Sequence, residues 1–309
     1  MTGEEKIPTL ESTLKSMDTE ERIDLIFYRP VGYCWALMFR RLGIHPNAVT
    51  IISIILGVAS GIFFYFNDLL LNIVGMILLV WANSYDSADG QLARLTGQKS
   101  QIGRILDGLA GDFWFISIYA ALCLRLMPEW SFWIWILAAV AGFYHSKQAA
   151  MADYYRNIHL FFLKGKAGSE LDNSEQEFSI YKSLPWRGYA ALKLYHYLYA
   201  QYTASQERQS PAFQRLFPLI RRRFGENIPQ ELAEEFRKGS LPLMKYANIL
   251  SFNTRSIVLF ISLFLNLPWI YFIFELTILN GLFVYMIYKH ESLSKSLYIQ
   301  LKSADTSEE

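Results

Sequence analysis

The sequence predicts an all-α polytopic membrane protein with six transmembrane helices, an N-terminal interfacial amphipathic helix and a helical cytoplasmic insertion between spans four and five. The first observation is composition, because 52% of the 309 residues are hydrophobic and 16% are aromatic. The second is that the apolar residues gather into blocks of about 20, the length that crosses a hydrocarbon core roughly 30 Å thick. The third is a long basic stretch that separates the fourth block from the fifth.

The six apolar blocks are joined alternately by short turns and longer connections. They predict spans at 47–66, 69–85, 105–126, 130–149, 247–266 and 268–288. The short turns after spans one, three and five hold no Lys or Arg, and Arg125 is the only basic residue near them. Because cytoplasmic loops carry the excess of Lys and Arg, both termini and the loop at 86–104 are predicted to be cytoplasmic.

An amphipathic stretch precedes the first span. Residues 21–47, "ERIDLIFYRPVGYCWALMFRRLGIHPN", alternate apolar and aromatic residues with arginine, which is typical of a helix lying in the plane of the interface. Pro46 and Asn47 are predicted to end this helix, and Asn47 to cap the first span. The tail at 1–20 is polar and lacks the apolar core of a cleaved signal peptide, so we expect the spans to belong to the mature protein.

These elements divide the chain into five predicted segments. They are a polar tail at 1–20, the interfacial helix with spans one to four at 21–149, a basic insertion at 150–246, spans five and six at 247–290, and a polar tail at 291–309. The insertion contains fourteen Lys or Arg against ten Asp or Glu. We interpret it as interfacial helices whose basic groups reach toward anionic headgroups. A lid or an acceptor-binding element is the alternative interpretation.

Charge and cysteine content exclude some classes of function. The formal net charge is only +1, which gives no indication of a nucleic-acid partner. The two cysteines, Cys34 and Cys123, lie in apolar surroundings and indicate neither a disulfide framework nor a metal cluster.

Four acidic residues lie close to membrane depth, two in the loop after the second span and two near the start of the third. They are Asp86, Asp89, Asp107 and Asp112. Because carboxylates there are costly unless paired or metal-bound, they are candidates for function. On a helix, Asp86 and Asp89 share one face, and Asp107 begins the next helix. Two helices that aim carboxylates at a shared pocket make an oxygen-rich site for a hard divalent cation.

Small and basic residues accompany these acids. Gly90, Ala93 and Arg94 fall on the same predicted helix face as the first two acids. Small side chains let a large group such as a nucleotide approach the backbone, and arginine pairs with phosphate. The pattern therefore predicts a metal-bridged diphosphate site at the membrane surface.

The spacing of these residues resembles a known family signature. "Asp86-x2-Asp89-Gly90-x2-Ala93-Arg94-x8-Gly103-x3-Asp107" resembles D-x2-D-G-x2-A-R-x8–9-G-x3-D-x3-D of the CDP-alcohol phosphotransferase (phosphatidyltransferase) family. The stretch from His45 to Thr50, "HPNAVT", is similar to the PN-x-x-T that opens the first membrane helix of that family. The resemblance covers residues 30–150 well and residues 247–288 by topology only.

The resemblance implies a six-helix membrane enzyme, commonly a homodimer, in which a hydroxyl acceptor attacks a CDP-alcohol and CMP leaves. It implies two divalent ions, Mg²⁺ or Mn²⁺. By position in the motif, the implied metal ligands are Asp86, Asp89, Asp107 and a fourth aspartate, and the residues that shape the CDP site are Gly90, Ala93, Arg94 and Gly103. The lipid bilayer supplies the surroundings, and the active site is expected on the cytoplasmic side.

The sequence departs from the family signature at the fourth aspartate, the general base and metal ligand of the family. Gly111 stands at that position, and Asp112 follows one residue later, about 140° around an ideal helix from Asp107. We expect Asp112 to serve as base and ligand, brought into the site by a π-bulge near Gly108 or Gly111. The alternatives are that another group is the base, or that the chain is a divergent member with weak or altered activity.

Further candidates lie outside the motif. Arg255, near the start of span five, is costly in a membrane helix and is expected to face the cavity and bind phosphate. Five polar residues at the cytoplasmic end of span four and just after it are expected either to contact the acceptor or to anchor the interface, namely His145, Lys147, Gln148, Asp153 and Arg156. The histidines at 159, 196 and 290 are expected at the interface.

The favoured function is transfer of a phosphatidyl group from CDP-diacylglycerol to a small polyol such as inositol, an inositol phosphate, glycerol phosphate or serine. The alternative within the family is transfer of a CDP-linked headgroup of choline or ethanolamine type to diacylglycerol or a ceramide-like lipid. A divalent-cation transporter is the alternative of another class, and it accounts for the acids but not for Gly90, Ala93 and Arg94.

Overall fold

The computed structural model describes residues 9–10, 16–98, 100–225 and 227–308. The described residues contain α-helices and no strand, so the prediction of an all-α protein is confirmed. The helices are α1 (Arg29–Arg41), α2 (Pro46–Tyr65), α3 (Leu69–Thr96), α4 (Gln101–Trp130), α5 (Trp133–Lys164), α6 (Ser174–Ser183), α7 (Ala190–Arg208), α8 (Pro211–Phe224), α9 (Gln230–Ile249), α10 (Phe252–Phe264), α11 (Trp269–Phe274) and α12 (Asn280–Glu308). Two π-helical segments, Asp24–Tyr28 and Glu275–Leu279, and one 3₁₀ turn, Lys166–Gly168, complete the helical structure.

Five helical stretches among the described residues are long and apolar enough to cross a membrane. They are Pro46–Tyr65, Leu69–Thr96, Ile105–Trp130, Gln230–Phe264 and Trp269–Ser303. The fourth predicted span, at 130–149, is not among them. It lies at the start of α5, where the apolar run gives way to polar residues from His145 onward. The fourth span, and with it the total of six, therefore stays a prediction.

The chain divides into two compact units. The first consists of the residues up to Phe143 together with Arg255–Leu276, and the second of Tyr144–Thr254 with the residues from Thr277 on. In the first unit, α3 packs against α1 and α2, and α4 packs against α2. In the second unit, α6 packs against α7, and α12 packs against α8 and α9.

Before the first span, the π-helical segment Asp24–Tyr28 continues into α1, and a position of this helix in the plane of the interface stays a prediction. Ala36 and Phe39 of this helix are buried against Ala88 and Leu92 of α3. The prediction of Asn47 as N-cap is wrong, because α2 already begins at Pro46 and His45 is its N-cap. Proline is favoured at the first helical position, where its missing N–H costs nothing.

Helices α2 and α4 cross in close contact at small residues. A methyl group built on Gly61 would lie 2.8 Å from the carbonyl carbon of Ser117 and 2.9 Å from the amide nitrogen of Ile118. The same substitution at Gly57 would overlap the indole of Trp114. Ser117 Oγ donates a hydrogen bond of 2.8 Å to the Val58 carbonyl. Small residues four positions apart thus let the two backbones approach, as in many membrane helix pairs.

Arg125 lies at the end of the first unit that contains few basic residues, and it donates hydrogen bonds to the turns that follow α2 and α10. Its guanidinium donates to the side-chain oxygens of Asn67 at 2.9 Å, Asn72 at 3.3 Å and Asn266 at 2.8 Å. It also donates to the Phe64 carbonyl near the end of α2, at 3.2 Å. The one basic residue near these turns therefore satisfies oxygens from three segments.

The three histidines expected at the interface are instead buried within the second unit. His159 Nδ1 lies 2.7 Å from Ser240 Oγ, and His196 Nδ1 lies 2.7 Å from Glu177 Oε2. His290 stacks on the ring of Tyr155 with 3.8 Å between ring centroids. Sequence spacing did not indicate these partners because they lie 19 to 135 residues away along the chain.

Candidate metal and substrate site

Three of the four predicted acids, two on α3 and one on α4, come together in the structure. One carboxylate oxygen from each of Asp86, Asp89 and Asp107 lies within 4.8 Å of the others. Asp89 is buried, with 3% of its surface exposed, Asp86 is half-buried and Asp107 is exposed. Three carboxylates at this separation repel one another strongly where water is scarce, so the arrangement favours a bound cation. The donor set, which consists only of carboxylate oxygens, fits Mg²⁺ or Mn²⁺.

Two basic side chains balance part of this negative charge. Arg94, on α3, interacts electrostatically with Asp89 and Asp107. Arg29, at the start of α1, interacts with Asp86 and is held by Glu20 through two hydrogen bonds of 2.9 and 3.0 Å. The negative charge of the three carboxylates is therefore partly neutralised by these two arginines.

Thr50 of α2 holds the most buried of the three acids. Its hydroxyl donates a hydrogen bond of 2.5 Å to Asp89 Oδ2. Thr50 itself is 2% exposed, so this bond is shielded from water. A hydrogen bond of this kind fixes the orientation of a ligating carboxylate, as outer-shell partners do in metal sites.

Thr50→Val is therefore expected to lower the affinity of the site for Mg²⁺ by roughly 10–100-fold, whereas Thr50→Ser keeps most of it. Valine has the shape of threonine but cannot donate to Asp89, and serine retains the hydroxyl. The measurement is the rise of the thermal unfolding midpoint with Mg²⁺ concentration, with a higher half-saturating concentration expected for the valine variant. Equal Mg²⁺ dependence in both variants would show that Thr50 does not position the carboxylate.

Gly103 is needed for contact between α2 and α4 beside the acids. A methyl group built on it would lie 2.6 Å from Asn47 Oδ1 and 3.0 Å from Ser100 Oγ. Ser100 caps α4 by accepting from the Gly103 amide at 2.9 Å, and its hydroxyl donates to Asn47 Oδ1 at 3.1 Å. Asn47, Ser100 and Gly103 thus fix the start of the helix that carries Asp107.

Gly90 and Arg94 lie together on the face of α3 predicted for the substrate. A methyl group built on Gly90 would lie 3.4 Å from Arg94 Nη1, and its three nearest atoms all belong to the Arg94 guanidinium. Arg94 Nε is buried and has no hydrogen-bond partner among the described residues. Ala93 is half-buried on the same helix. An arginine with an unused buried donor beside a bare stretch of backbone suits an anionic ligand.

Asp112 does not belong to the carboxylate cluster. Helix α4 is a regular α-helix from Gln101 to Trp130, so the predicted π-bulge near Gly108 or Gly111 is wrong. Without that bulge, Asp112 points about 140° away from Asp107. It lies on an exposed face of the helix with Leu109, Phe113 and Ile116. The assignment of Asp112 as base and fourth metal ligand stays a prediction.

Arg255 is buried beside a carboxylate of the same unit. It is 1% exposed, and its Nη1 donates to Glu275 Oε1. Tyr271 donates to the same carboxylate at 2.8 Å, and Tyr119 donates to its other oxygen. Buried charges require such partners, and this network accounts for the cost of Arg255 in an apolar helix. Its predicted role in phosphate binding stays a prediction.

The polar residues predicted beyond span four belong to the second unit and make contacts within it. Lys147 donates to Ser205, and Gln148 Nε2 donates to Asn280 Oδ1 at 2.7 Å. Arg156 donates to Asn248 Oδ1 at 2.8 Å. These bonds give the three side chains roles within the fold of that unit.

Sequence reasoning missed the contribution of Thr50 and Glu275. Thr50 stood in the recognised "PNAVT" stretch, but its link to an acid 39 residues later is visible only in the fold. Glu275 could have been found, because it is the one acidic residue of the predicted span at 268–288 and such residues need a partner.

Comparisons with known proteins agree with this geometry. Residues 43–162 match the family model of CDP-alcohol phosphatidyltransferase, and this range includes all three clustered acids and Thr50. The chain is 32% identical over 97 residues to the bifunctional IPC transferase and DIPP synthase of Aquifex aeolicus, covering 31% of this chain and 22% of that protein. It is 36% identical over 89 residues to the archaetidylinositol phosphate synthase of Pyrococcus horikoshii, covering 29% of this chain and 46% of that protein.

The matched part thus spans less than half the length of either relative. No solved structure matches the chain. The apolar helices and the family together indicate an integral membrane protein. Residues 43–162, which carry the acid cluster and its supporting side chains, are therefore similar to the CDP-alcohol phosphatidyltransferase family.

Proposed function

We propose that this chain transfers a substituted phosphate group from a CDP-alcohol to a hydroxyl acceptor and releases CMP, as a step of membrane lipid synthesis. The observation that carries the proposal is the cluster of Asp86, Asp89 and Asp107, whose oxygens lie within 4.8 Å of one another inside the family-matched region. Carboxylates exposed to water can lie close together without a bound ion, because water screens their charges. Asp89, however, is buried and accepts a hydrogen bond from Thr50.

The three clustered acids would hold Mg²⁺ or Mn²⁺, with two ions expected from the family. Bound divalent cations would offset the charge of the diphosphate and of the departing CMP. Side chains near the ions would orient the metal ligands and the substrate. Thr50 fixes Asp89, while Gly90 leaves room for the nucleotide and Arg94 offers its guanidinium to phosphate oxygens.

Removal of the acceptor proton needs a carboxylate that is open to the acceptor. Asp107 is the exposed member of the cluster, whereas Asp89 is buried and already accepts from Thr50. We therefore infer that Asp107 is a better candidate for the base than Asp112. This proposal corresponds to the sequence-based alternative in which another group takes over the role of the missing fourth aspartate.

Asp112→Asn is expected to keep more than about one tenth of wild-type CMP release, whereas Asp107→Asn loses nearly all of it. General base catalysis contributes about 10²–10⁴-fold, so loss of a true base is easily distinguished from loss of a bystander. The two substitutions remove the same charge from the same helix, so each serves as the control for the other. A collapse of activity in Asp112→Asn alone would restore the assignment made from sequence.

The favoured donor is CDP-diacylglycerol and the favoured acceptor is a small polyol. One relative is named as a synthase of an inositol phosphate lipid, which favours inositol phosphate among the polyols considered. The site is proposed to face the cytoplasm because the loop that carries Asp86 and Asp89 is predicted to lie on the same side of the membrane as the segments rich in Lys and Arg. A homodimer is expected from the family.

The proposal is tested by CMP release from purified protein in lipid nanodiscs with Mg²⁺. CDP-diacylglycerol is offered with inositol 1-phosphate, inositol, glycerol 3-phosphate or serine, and CDP-choline or CDP-ethanolamine is offered with diacylglycerol. We expect CMP and a phosphatidyl product with CDP-diacylglycerol and inositol 1-phosphate. Products only from the CDP-headgroups would assign the other arrangement, and no CMP with any pair would contradict the transferase proposal and favour a cation transporter.

A further inference from the structure

Helix α7 in the second unit has its polar residues inside and its apolar residues outside. Its buried side chains include Lys193, His196, Thr203 and Gln206. Its exposed face carries Leu194, Tyr197 and Leu198, and Trp186 and Tyr189 of the preceding turn continue that face. A helix at a water-covered surface has the opposite arrangement. We name the surface formed by Trp186, Tyr189, Leu194, Tyr197 and Leu198 the α7 outer face.

The polar side chains are directed inward because the second unit satisfies them there. Lys193 Nζ donates to the Leu184 carbonyl at 2.5 Å and lies 4.6 Å from the ring centroid of Tyr181. Gln206 Nε2 donates to the Ala150 carbonyl at 2.8 Å. His196 Nδ1 lies within hydrogen-bonding distance, 2.7 Å, of Glu177 Oε2. The orientation of α7 is therefore fixed by specific bonds, and its apolar residues are left on the outside.

The side chains of the α7 outer face are strongly exposed although they are large and apolar or aromatic. Trp186 is 60% exposed and Leu198 is 58% exposed. Contiguous exposed apolar surface of this kind marks contact with a membrane or another protein. Tryptophan and tyrosine are the residues favoured at the level of lipid headgroups.

The charge around this surface selects the partner. Residues 178–206 contain Lys182, Arg187 and Lys193 and no Asp or Glu. Lys182 and Arg187 are exposed beside the aromatic residues. A patch that combines aromatic residues with exposed basic groups, and lacks acids, is complementary to an anionic bilayer surface.

We propose that the α7 outer face docks on the headgroup region of an anionic lipid bilayer, with Lys182 and Arg187 contacting lipid phosphates. The sequence predicted interfacial helices throughout the insertion, and the structure narrows the contact to this one face. The proposal is independent of the transferase activity.

The test uses the full-length chain in phosphatidylcholine vesicles with or without phosphatidylglycerol. In a Cys34→Ser background, a nitrobenzoxadiazole label is attached at Leu198→Cys. The matched control carries the label at Lys238→Cys, an exposed position of α9 in the same unit. Cys34 is exposed and would otherwise react, whereas Cys123 is buried. A single symmetric size-exclusion peak is required of both proteins.

We expect doxyl-labelled lipid to quench the label at position 198 several-fold more than the label at position 238, and iodide to quench it several-fold less. Lys182→Gln with Arg187→Gln is expected to abolish the increase in lipid quenching that phosphatidylglycerol causes. Iodide quenching equal to that of the control would overturn the proposal. Protection from both quenchers, with self-quenching that rises with protein density, would assign the face to a second copy of the chain instead. Lipid quenching that does not respond to phosphatidylglycerol would contradict the anionic partner.

Discussion

Replacement of any one of Asp86, Asp89 and Asp107 by asparagine is expected to reduce CMP release at least about 100-fold, because metal binding supplies several kcal/mol of transition-state stabilisation. Asparagine keeps the shape of the side chain but removes the charge that holds a cation among the other two carboxylates. The measurement is CMP release at saturating Mg²⁺ for each variant and for the wild type.

A second readout separates metal binding from chemistry. Mg²⁺ that binds the folded protein raises its midpoint of thermal unfolding, and this rise should vanish in the asparagine variants. Glu129→Gln is the control, because it removes an exposed acid from the other end of α4. Equal stabilisation by Mg²⁺ in the wild type and in all three variants would show that the cluster does not hold the ion.

Gly61→Ala is expected to destabilise the first unit by about 1–3 kcal/mol, the usual cost of overpacking. The added methyl group would meet backbone atoms of Ser117 and Ile118, which cannot rotate away as a side chain can. Helices α2 and α4 would have to separate, and Thr50 and Asp107 are carried by those two helices. The measurement is the temperature at which the monodisperse size-exclusion peak is lost in detergent.

Gly281→Ala is the matched control for this substitution. Nothing lies within 4 Å of a methyl group built on Gly281, so alanine there adds helix propensity without a clash. We expect its unfolding temperature to equal or exceed that of the wild type. A loss of stability no greater in Gly61→Ala than in Gly281→Ala would contradict the close crossing of α2 and α4.

The acid cluster could be predicted from the sequence because its spacing follows helix geometry. Local periodicity places Asp86 and Asp89 on one face of α3, and the resemblance to the family signature implied that Asp107 of the next helix joins them. Thr50 could not be assigned a role in this way, since its contact with Asp89 depends on how α2 crosses α3. The same holds for Asn47, which meets Ser100 across 53 residues.

The errors also have physical causes. A π-bulge was expected in order to return Asp112 to the site, but glycine only permits such a bulge and nothing in the helix requires one. The histidines were assigned to the interface because they lacked neighbours in sequence, yet burial in the fold gave His159 and His196 specific partners. Long-range pairing of buried polar groups is set by tertiary packing and is not visible in a single sequence.

We propose that three carboxylates from α3 and α4 form a divalent-cation site for CDP-alcohol transfer. The most direct measurement is the electron paramagnetic resonance signal of free Mn²⁺ titrated with purified protein. We predict that the wild type removes the free-ion signal and that the Asp86→Asn, Asp89→Asn and Asp107→Asn variants leave most of it, with Glu129→Gln behaving as the wild type. Equal loss of the signal with the wild type and with all three asparagine variants would contradict the claim.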